Sequence, residues 1–180
     1  EAATRLGIIV ANVPDASVEE VSDHALALLL SLERGIVRLD RAVHEGAWQR
    51  DPRDIAAVRA GIRRLSELTL GVVGFGRIGR ELARKAAPLY RRILVADPMI
   101  DAATAEAAGS TLATMDELLA SADHLSLHVP LLATTHHLID EAALARVRPG
   151  VVLVNTSRGG LVDEVALARA NALQGLKVQE

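Results

Sequence analysis

The chain carries the run Gly74-Phe75-Gly76-Arg77-Ile78-Gly79, and Asp97 closes the apolar stretch that follows it. The glycines come directly after an apolar run, Leu68 to Val73, and directly before a helical pattern, Arg80 to Ala87. That order reads as strand, tight turn and helix start. At such a junction the first glycine permits the turn, the second lets backbone approach a pyrophosphate, and the third lets helix and strand pack closely. The helix N-terminus offers unpaired N–H groups to the phosphates. Asp97 follows Ile93 to Ala96, which puts its carboxylate at the tip of the next strand, within reach of ribose hydroxyls. Glycine spacing alone is a weak signal, and a purely structural βαβ turn is the alternative. Glycines, context and acid together point to a dinucleotide site. A carboxylate at position 97 pairs with a free 2′-hydroxyl and repels a 2′-phosphate, and no arginine follows it in Pro98-Met99-Ile100-Asp101, so NAD is the expected cofactor. Arg91 and Arg92 precede the strand and read as solvated.

A chain of 180 residues has room for one domain with a real core. Half of it is apolar, yet Trp48, Phe75 and Tyr90 are its only aromatic residues. The core must be built from Ala, Leu, Val and Ile, which suits helices on a parallel sheet. A net charge of −3 argues against a nucleic-acid footprint. The lack of cysteine excludes disulfides, thiolate catalysis and cysteine-ligated zinc. No signal peptide opens the chain, and its longest apolar stretch, Ala25 to Leu32, is too short to span a bilayer. A soluble cytoplasmic protein without a membrane partner is expected. The chain begins at Glu1 without methionine and stops just after a helical pattern, so both ends read as cuts through a longer protein.

Gly7 to Val13 reads as a short strand ended by Pro14-Asp15. Ser17 is a plausible N-cap, with Glu19 and Glu20 suited to the dipole of the first turn. Apolar residues recur at helical spacing from Val18 to about His44, with a break expected near Gly35, and Gly46-Ala47-Trp48 closes the helix. The charged segment 49–67 reads as a connecting loop with a helical turn, its arginines solvated. Alternation then becomes regular: strand Leu70–Val73, helix Arg77–Ala87, strand Ile93–Ala96, helix Ala102–Ala108, strand Ser110–Leu112, helix Met115–Ala120, strand Leu125–His128, helix Glu141–Val147, strand Val151–Asn155. Asp163 caps a last helix, Glu164–Leu173. Strands alternating with helices imply right-handed βαβ crossovers and a parallel sheet covered on both faces.

Two further strand ends carry chemistry. One is Ser126-Leu127-His128-Val129-Pro130-Leu131, followed by Thr134 and Thr135. The other is Val154-Asn155-Thr156-Ser157-Arg158-Gly159-Gly160. Ligands of open parallel sheets bind beyond the carboxyl ends of the strands. An arginine there, beside hydroxyl side chains and two glycines, is placed to grip a carboxylate through two parallel N–H bonds. A surface arginine closing a turn is the alternative.

The sequence resembles the D-isomer-specific 2-hydroxyacid dehydrogenases over nearly its whole length. Gly7-Ile8 through Asn12-Val13-Pro14 matches the family's exit from its first domain, and Ser17 to Arg34 matches the helix opening its cofactor domain. Gly71 to Gly79 with Asp97, the LHVPL segment and the stretch Asn155 to Asp163 match three more signatures. The ASVEE stretch and the length of the 49–67 connection lean towards the corepressor-like and phosphoglycerate-dehydrogenase-like branches. The resemblance implies a Rossmann-type doubly wound parallel α/β sheet, truncated at both ends. Residues 1–17 would be the end of a flavodoxin-like substrate domain, and 18–180 an NAD-binding domain incomplete at its C-terminus.

It implies further that Gly74, Gly76, Arg77, Ile78 and Gly79 surround the pyrophosphate and that Asp97 holds the ribose. Val129 and Pro130 would line the adenine and ribose side with Thr135 nearby, Thr156 and Ser157 would approach the nicotinamide half, and Arg158 would be the catalytic arginine. In such enzymes a histidine protonates the substrate carbonyl and a glutamate raises its pKa. Both follow a GAALDV-like strand beyond the helix ending near Leu173. The chain departs from the pattern at Leu176 to Glu180, and Glu180 is not that glutamate, so this chain alone is expected to be inactive. The histidines present do not replace them. His128 reads as a local hydrogen-bonding residue, and His136-His137 as a loop pair lacking a third metal ligand. His124 beside Asp123 reads as a paired surface histidine.

The implied activity is NAD-dependent interconversion of a small 2-keto acid, such as hydroxypyruvate, glyoxylate or 3-phosphohydroxypyruvate, and a D-2-hydroxy acid, in a protein that forms homodimers. The alternative is a non-catalytic NAD(H)-sensing module like the corepressors.

Overall fold

The computed structural model describes residues 2–11, 13, 15–174 and 177–179, and for 48, 50, 52, 54, 58, 172–174 and 177–179 the backbone alone. The helices are α1 (Ala2–Arg5), α2 (Val18–Arg34), α3 (Ile36–His44), α4 (Ala47–Arg50), α5 (Pro52–Arg59), α6 (Arg77–Ala86), α7 (Ala102–Ala107), α8 (Met115–Ser121), α9 (Glu141–Leu144) and α10 (Glu164–Gln174). The strands are β1 (Thr69–Val73), β2 (Arg92–Ala96), β3 (Thr111–Leu112), β4 (His124–Leu127), β5 (Val152–Asn155) and β6 (Lys177–Gln179). They form one sheet in the order β3-β2-β1-β4-β5-β6, every pairing parallel. This is the doubly wound order expected of a dinucleotide-binding sheet, its direction of winding reversing between β1 and β4.

Alternation along the strands divides the core into two layers. Leu70, Val72, Ile93, Val95, Val152 and Val154 pack with Ala25 and Leu29 of α2 and with Leu82, Ala83 and Ala86 of α6. Val73, Leu94, Leu125, Leu127 and Leu153 face the other way, onto Leu118 and Leu119 of α8, Leu144 of α9 and Ala166 of α10. Strands buried on both faces carry near-continuous apolar runs, and in β4 the two exceptions, His124 and Ser126, are hydrogen-bonded through their side chains. Each fully buried Leu contributes about 1.5–3 kcal/mol relative to exposure.

Helix starts follow their caps. Thr114 and Glu117 form a reciprocal capping box at α8, Asp101 and Asp140 accept from Thr104 and Ala143, and Asp163 accepts from Val165 and Ala166 at the head of α10. Gly35, at φ 63°, breaks the first helical stretch into α2 and α3 where the sequence places the break.

The structure corrects several expectations. Residues 7–13 form no strand among those described, and Ile9 is 94% exposed. An apolar run becomes a strand only where a neighbouring ladder takes up its N–H and C=O groups. Ser17 does not cap α2: its φ of 66° is left-handed and its side chain makes no cap bond, whereas capping needs an extended backbone. Segment 49–67 is more helical than a loop, because Asp51 accepts from Arg53 N–H and Pro52 starts α5. The helix expected over 141–147 stops at Leu144, ahead of the Pro149-Gly150 turn. A strand follows the last described helix, since β6 pairs with β5. Leu176 and Glu180 lie outside the described residues.

The largest correction concerns charge. Arg63 is not simply solvated: it pairs with Glu33 at 2.8 Å and with Asp123 at 3.3 Å. His124 is fully buried and lies between Glu33, at 2.9 Å, and the hydroxyl of Tyr90, at 2.7 Å. The other oxygen of Asp123 accepts the N–H of Thr69 at 2.9 Å, tying this cluster to the amino end of β1.

Candidate functional site

Parallel pairing puts the last residues of β1, β2, β4 and β5 along one edge, and the residues expected to bind cofactor and substrate follow those strand ends. Gly74 leaves β1 with φ 90°, and a Cβ on it would sit 2.7 Å from the carbonyl oxygen of His128. A Cβ on Gly79 would run into the carbonyl oxygen of Gly74, so helix and turn approach as closely as the fingerprint requires. At Gly76 a Cβ would meet no protein atom within 4 Å, which leaves that backbone approachable from outside. Arg77 and Ile78 open α6, whose first-turn N–H groups have no acceptor within the helix and favour an anion. The Arg77 guanidinium pairs with Asp15 at 3.1 Å.

Asp97 lies beside this turn. One carboxylate oxygen accepts the N–H of Phe75 at 2.7 Å and the other accepts the N–H of Met99 at 2.8 Å. Both bonds orient the carboxylate, and each oxygen keeps a lone pair for a further donor. Asp97, Val129 and Thr135 share a cavity of about 770 Å³ walled by Ile100, Leu112, Met115 and Leu138. An apolar slot with a carboxylate at its edge suits a flat heteroaromatic ring joined to a sugar. Thr135 also closes its own loop, donating to the carbonyl of Pro130 at 2.6 Å and accepting from Leu132 N–H at 2.8 Å.

Thr156 lines a separate cavity of about 600 Å³ with Glu20, Val21, His24 and Asn155. Its hydroxyl is buried and has no partner among the described residues. Ser157 spends its hydroxyl on the carbonyl of Leu127 at 2.9 Å. Arg158 is exposed, and its guanidinium donates to the carbonyl of Ser157 at 2.7 Å. Asn155 holds this corner: its Oδ1 accepts from Ser157 N–H at 3.0 Å and its Nδ2 donates to the carbonyl of Arg158 at 2.9 Å. His128 bonds Ser126 at 2.8 Å, and burial pushes its pKa down to about 4, so the ring is neutral at neutral pH. His136 and His137 stack at 3.9 Å.

Residues 26–178 match the sequence model of the D-isomer specific 2-hydroxyacid dehydrogenase, NAD binding domain. The chain belongs to that family. As a member of it, it is an NAD-binding domain of a 2-hydroxyacid dehydrogenase. It is 41% identical over 170 residues to the D-3-phosphoglycerate dehydrogenase of Mycobacterium tuberculosis, covering 94% of this chain and 31% of that protein. The D-3-phosphoglycerate dehydrogenase of Archaeoglobus fulgidus is 40% identical over 169 residues, with the same coverage. Among solved structures, apo D-mandelate dehydrogenase of Rhodotorula graminis superposes with a TM-score of 0.85 at 34% identity, over 97% of this chain and 52% of that one. D-lactate dehydrogenase of Aquifex aeolicus, complexed with NAD and lactic acid, gives 0.83 at 33% identity, over 99% and 52%. The chain thus spans about a third of these curated relatives and half of the solved chains.

The residues along this edge of the sheet were legible as strand-end motifs. The wall of the larger cavity was not, because Ile100, Leu112, Met115 and Leu138 come from four separate segments with no motif to join them. The role of Asn155 has a local signal: an Asn closing a strand two residues before a backbone N–H it can accept.

Proposed function

We propose that the protein to which this chain belongs is an NAD-dependent oxidoreductase that interconverts a small 2-keto acid and a D-2-hydroxy acid. Residues 18–180 form part of its cofactor domain, residues 1–17 are the end of its substrate domain, and the protein works as a homodimer. The observation that carries this reading is the position of Arg158. It stands at the end of β5, on the sheet edge that also holds the fingerprint turn, with its backbone fixed by Asn155.

NADH, when bound, supplies the hydride that reduces the C2 carbonyl. The residues of this chain prepare that transfer. First-turn N–H groups of α6 and the open backbone at Gly76 hold the pyrophosphate, Asp97 takes the adenosine ribose hydroxyls, and Val129, Pro130 and Thr135 border the adenine. Thr156 and Ser157 face the nicotinamide half. Arg158 binds the substrate carboxylate in a fork and draws electron density from the carbonyl. Similarity to phosphoglycerate dehydrogenases makes 3-phosphohydroxypyruvate the first substrate to try, with hydroxypyruvate and glyoxylate next.

The test is Arg158→Ala in the full-length protein. Loss of about 3 kcal/mol of transition-state stabilisation, as for an uncompensated charge-assisted contact, lowers kcat/KM by about two orders of magnitude. NADH affinity should remain. Near-normal turnover would overturn the role of Arg158. Tight NADH binding by the wild type with no turnover on the keto-acid panel would favour an NAD(H)-sensing module instead.

A further inference from the structure

The fingerprint turn is held by a side chain outside its glycine pattern. Phe75, between the first two glycines, is 1% exposed, its ring packed into the core layer shared by α2 and α6. Its N–H donates to Asp97 Oδ2 at 2.7 Å. Its carbonyl accepts from Nε of Arg80 at 2.9 Å, and the guanidinium carbon of Arg80 lies 5.6 Å from the centroid of the Phe75 ring. Arg80 itself is anchored one helical turn into α6, its N–H bonded to the carbonyl of Gly76 at 3.0 Å. Both peptide units of Phe75 are therefore fixed, one by an acid and one by a base.

We propose that Arg80 is a positioning residue for the pyrophosphate turn, holding the Phe75–Gly76 peptide in its binding orientation before any dinucleotide arrives. The proposal rests on the reading that this turn holds the pyrophosphate of NAD. A stretch with glycines at 74 and 76 has access to many backbone conformations, and ordering it on binding costs affinity. Holding the Phe75 carbonyl removes that freedom in advance, which is how preorganisation raises affinity without a new contact. Arginine suits the task because one planar group can donate from its edge to a carbonyl while its face lies against a ring. Lysine offers a point charge without that geometry.

The experiment compares wild type with Arg80→Met and Arg80→Lys in binding of NADH, ADP-ribose and adenosine, with the melting temperature of each variant. Loss of one preorganising hydrogen bond corresponds to a rise of about 3- to 10-fold in Kd. Arg80→Met is expected to show that rise for NADH and ADP-ribose alike, with adenosine affinity unchanged and the melting temperature lowered by only a few °C. Arg80→Lys should recover the loss only in part. Amide exchange at Gly76 in the ligand-free protein, followed by NMR, should speed up in Arg80→Met. Unchanged NADH affinity or unchanged Gly76 exchange would overturn the proposal. So would full recovery by Arg80→Lys, since that would make Arg80 a charge acting directly on the phosphates. A wild type that bound neither NADH nor ADP-ribose would overturn the cofactor reading, and the proposal with it. A wild type that binds both, alongside an Arg80→Met that binds them equally well, would overturn this proposal alone.

Discussion

Replacing Glu33 by alanine should cost more stability than breaking any exposed ion pair in the protein. Its carboxylate is fully buried and takes up Arg63 N–H at 2.7 Å, Arg63 guanidinium contacts at 2.8 and 3.3 Å, and His124 Nε2 at 2.9 Å. The proton positions follow from Glu33. Its carboxylate can only accept, so Nε2 of His124 carries the ring proton, and Nδ1 of the neutral ring accepts the O–H of Tyr90. Removing one partner of a buried pair costs about 3–5 kcal/mol. The Arg63 side chain keeps 33% of its surface in water, so the stranded guanidinium recovers some hydration and the lower end applies. In a domain of this size about 3 kcal/mol lowers Tm by about 6–12 °C. Glu33→Gln, which keeps shape and one acceptor, should cost about 1–2 kcal/mol.

The acid limb provides an independent check. Burial alone would raise the pKa of Glu33, but hydrogen bonds from His124 and Arg63 overcome it and hold the carboxyl well below the usual range. Its contribution is therefore present above the unfolded value of about 4.3 and is lost as pH falls. Burial pushes His124 down despite its bond to Glu33. Below about pH 6.5 the unfolded chain binds a proton that the folded chain refuses, so stability begins to fall there. Both terms have the same sign: wild-type stability declines on acidification in two stages. Urea unfolding followed by circular dichroism, from pH 8 to 3.5, reads both magnitude and profile. In Glu33→Ala the second stage should flatten. A loss below about 1 kcal/mol with an unchanged acid limb would refute the reasoning. In a double-mutant cycle, Glu33→Leu with Arg63→Met should recover only the part of the loss due to the stranded guanidinium, because the buried Nε2–H of His124 still lacks its acceptor.

Three further outcomes follow from the geometry. Asp97→Ala removes both the proposed ribose acceptor and the partner of Phe75 N–H, so calorimetric titration should show NADH binding about 10-fold weaker or more, with the preference over NADPH eroded; unchanged affinity for both cofactors would sink the ribose assignment. Gly79→Ala drives a Cβ into the Gly74 carbonyl, and NADH binding together with about 1–3 kcal/mol of stability should be lost, as for overpacking; wild-type NADH binding would contradict the close helix–turn contact. Thr114→Ala breaks the capping box of α8 and should cost about 1 kcal/mol in urea unfolding; a shift of only a few tenths would mean that tertiary packing alone holds α8.

What could be read in the sequence depended on the range of the interaction involved. Gly35, Asp163 and the fingerprint act within a few residues of themselves, so their spacing carries their meaning. Ser17 had the right side chain at the right place and still failed as a cap, because the backbone of the preceding segment turns left-handed there. Arg63 had no local signal. It stands among other arginines in a charged stretch, and its partners Glu33 and Asp123 come from α2 and from the start of β4. His124 looked like a surface histidine because Asp123 beside it suggested a local pair. Asp123 instead faces Thr69, Arg63 and Arg148, while the ring turns inward to Glu33 and Tyr90. The candidate site escaped this difficulty through the sheet. Once strands are parallel and adjacent, the last residue of each lies on the same edge, whatever its distance in sequence. Reading four strand ends therefore collected Gly74, Asp97, Val129 and Arg158 without any long-range inference. The cluster around Glu33 lies at the opposite end of the strands and has no such rule to gather it, since amino ends are reached by connections of varied length and shape.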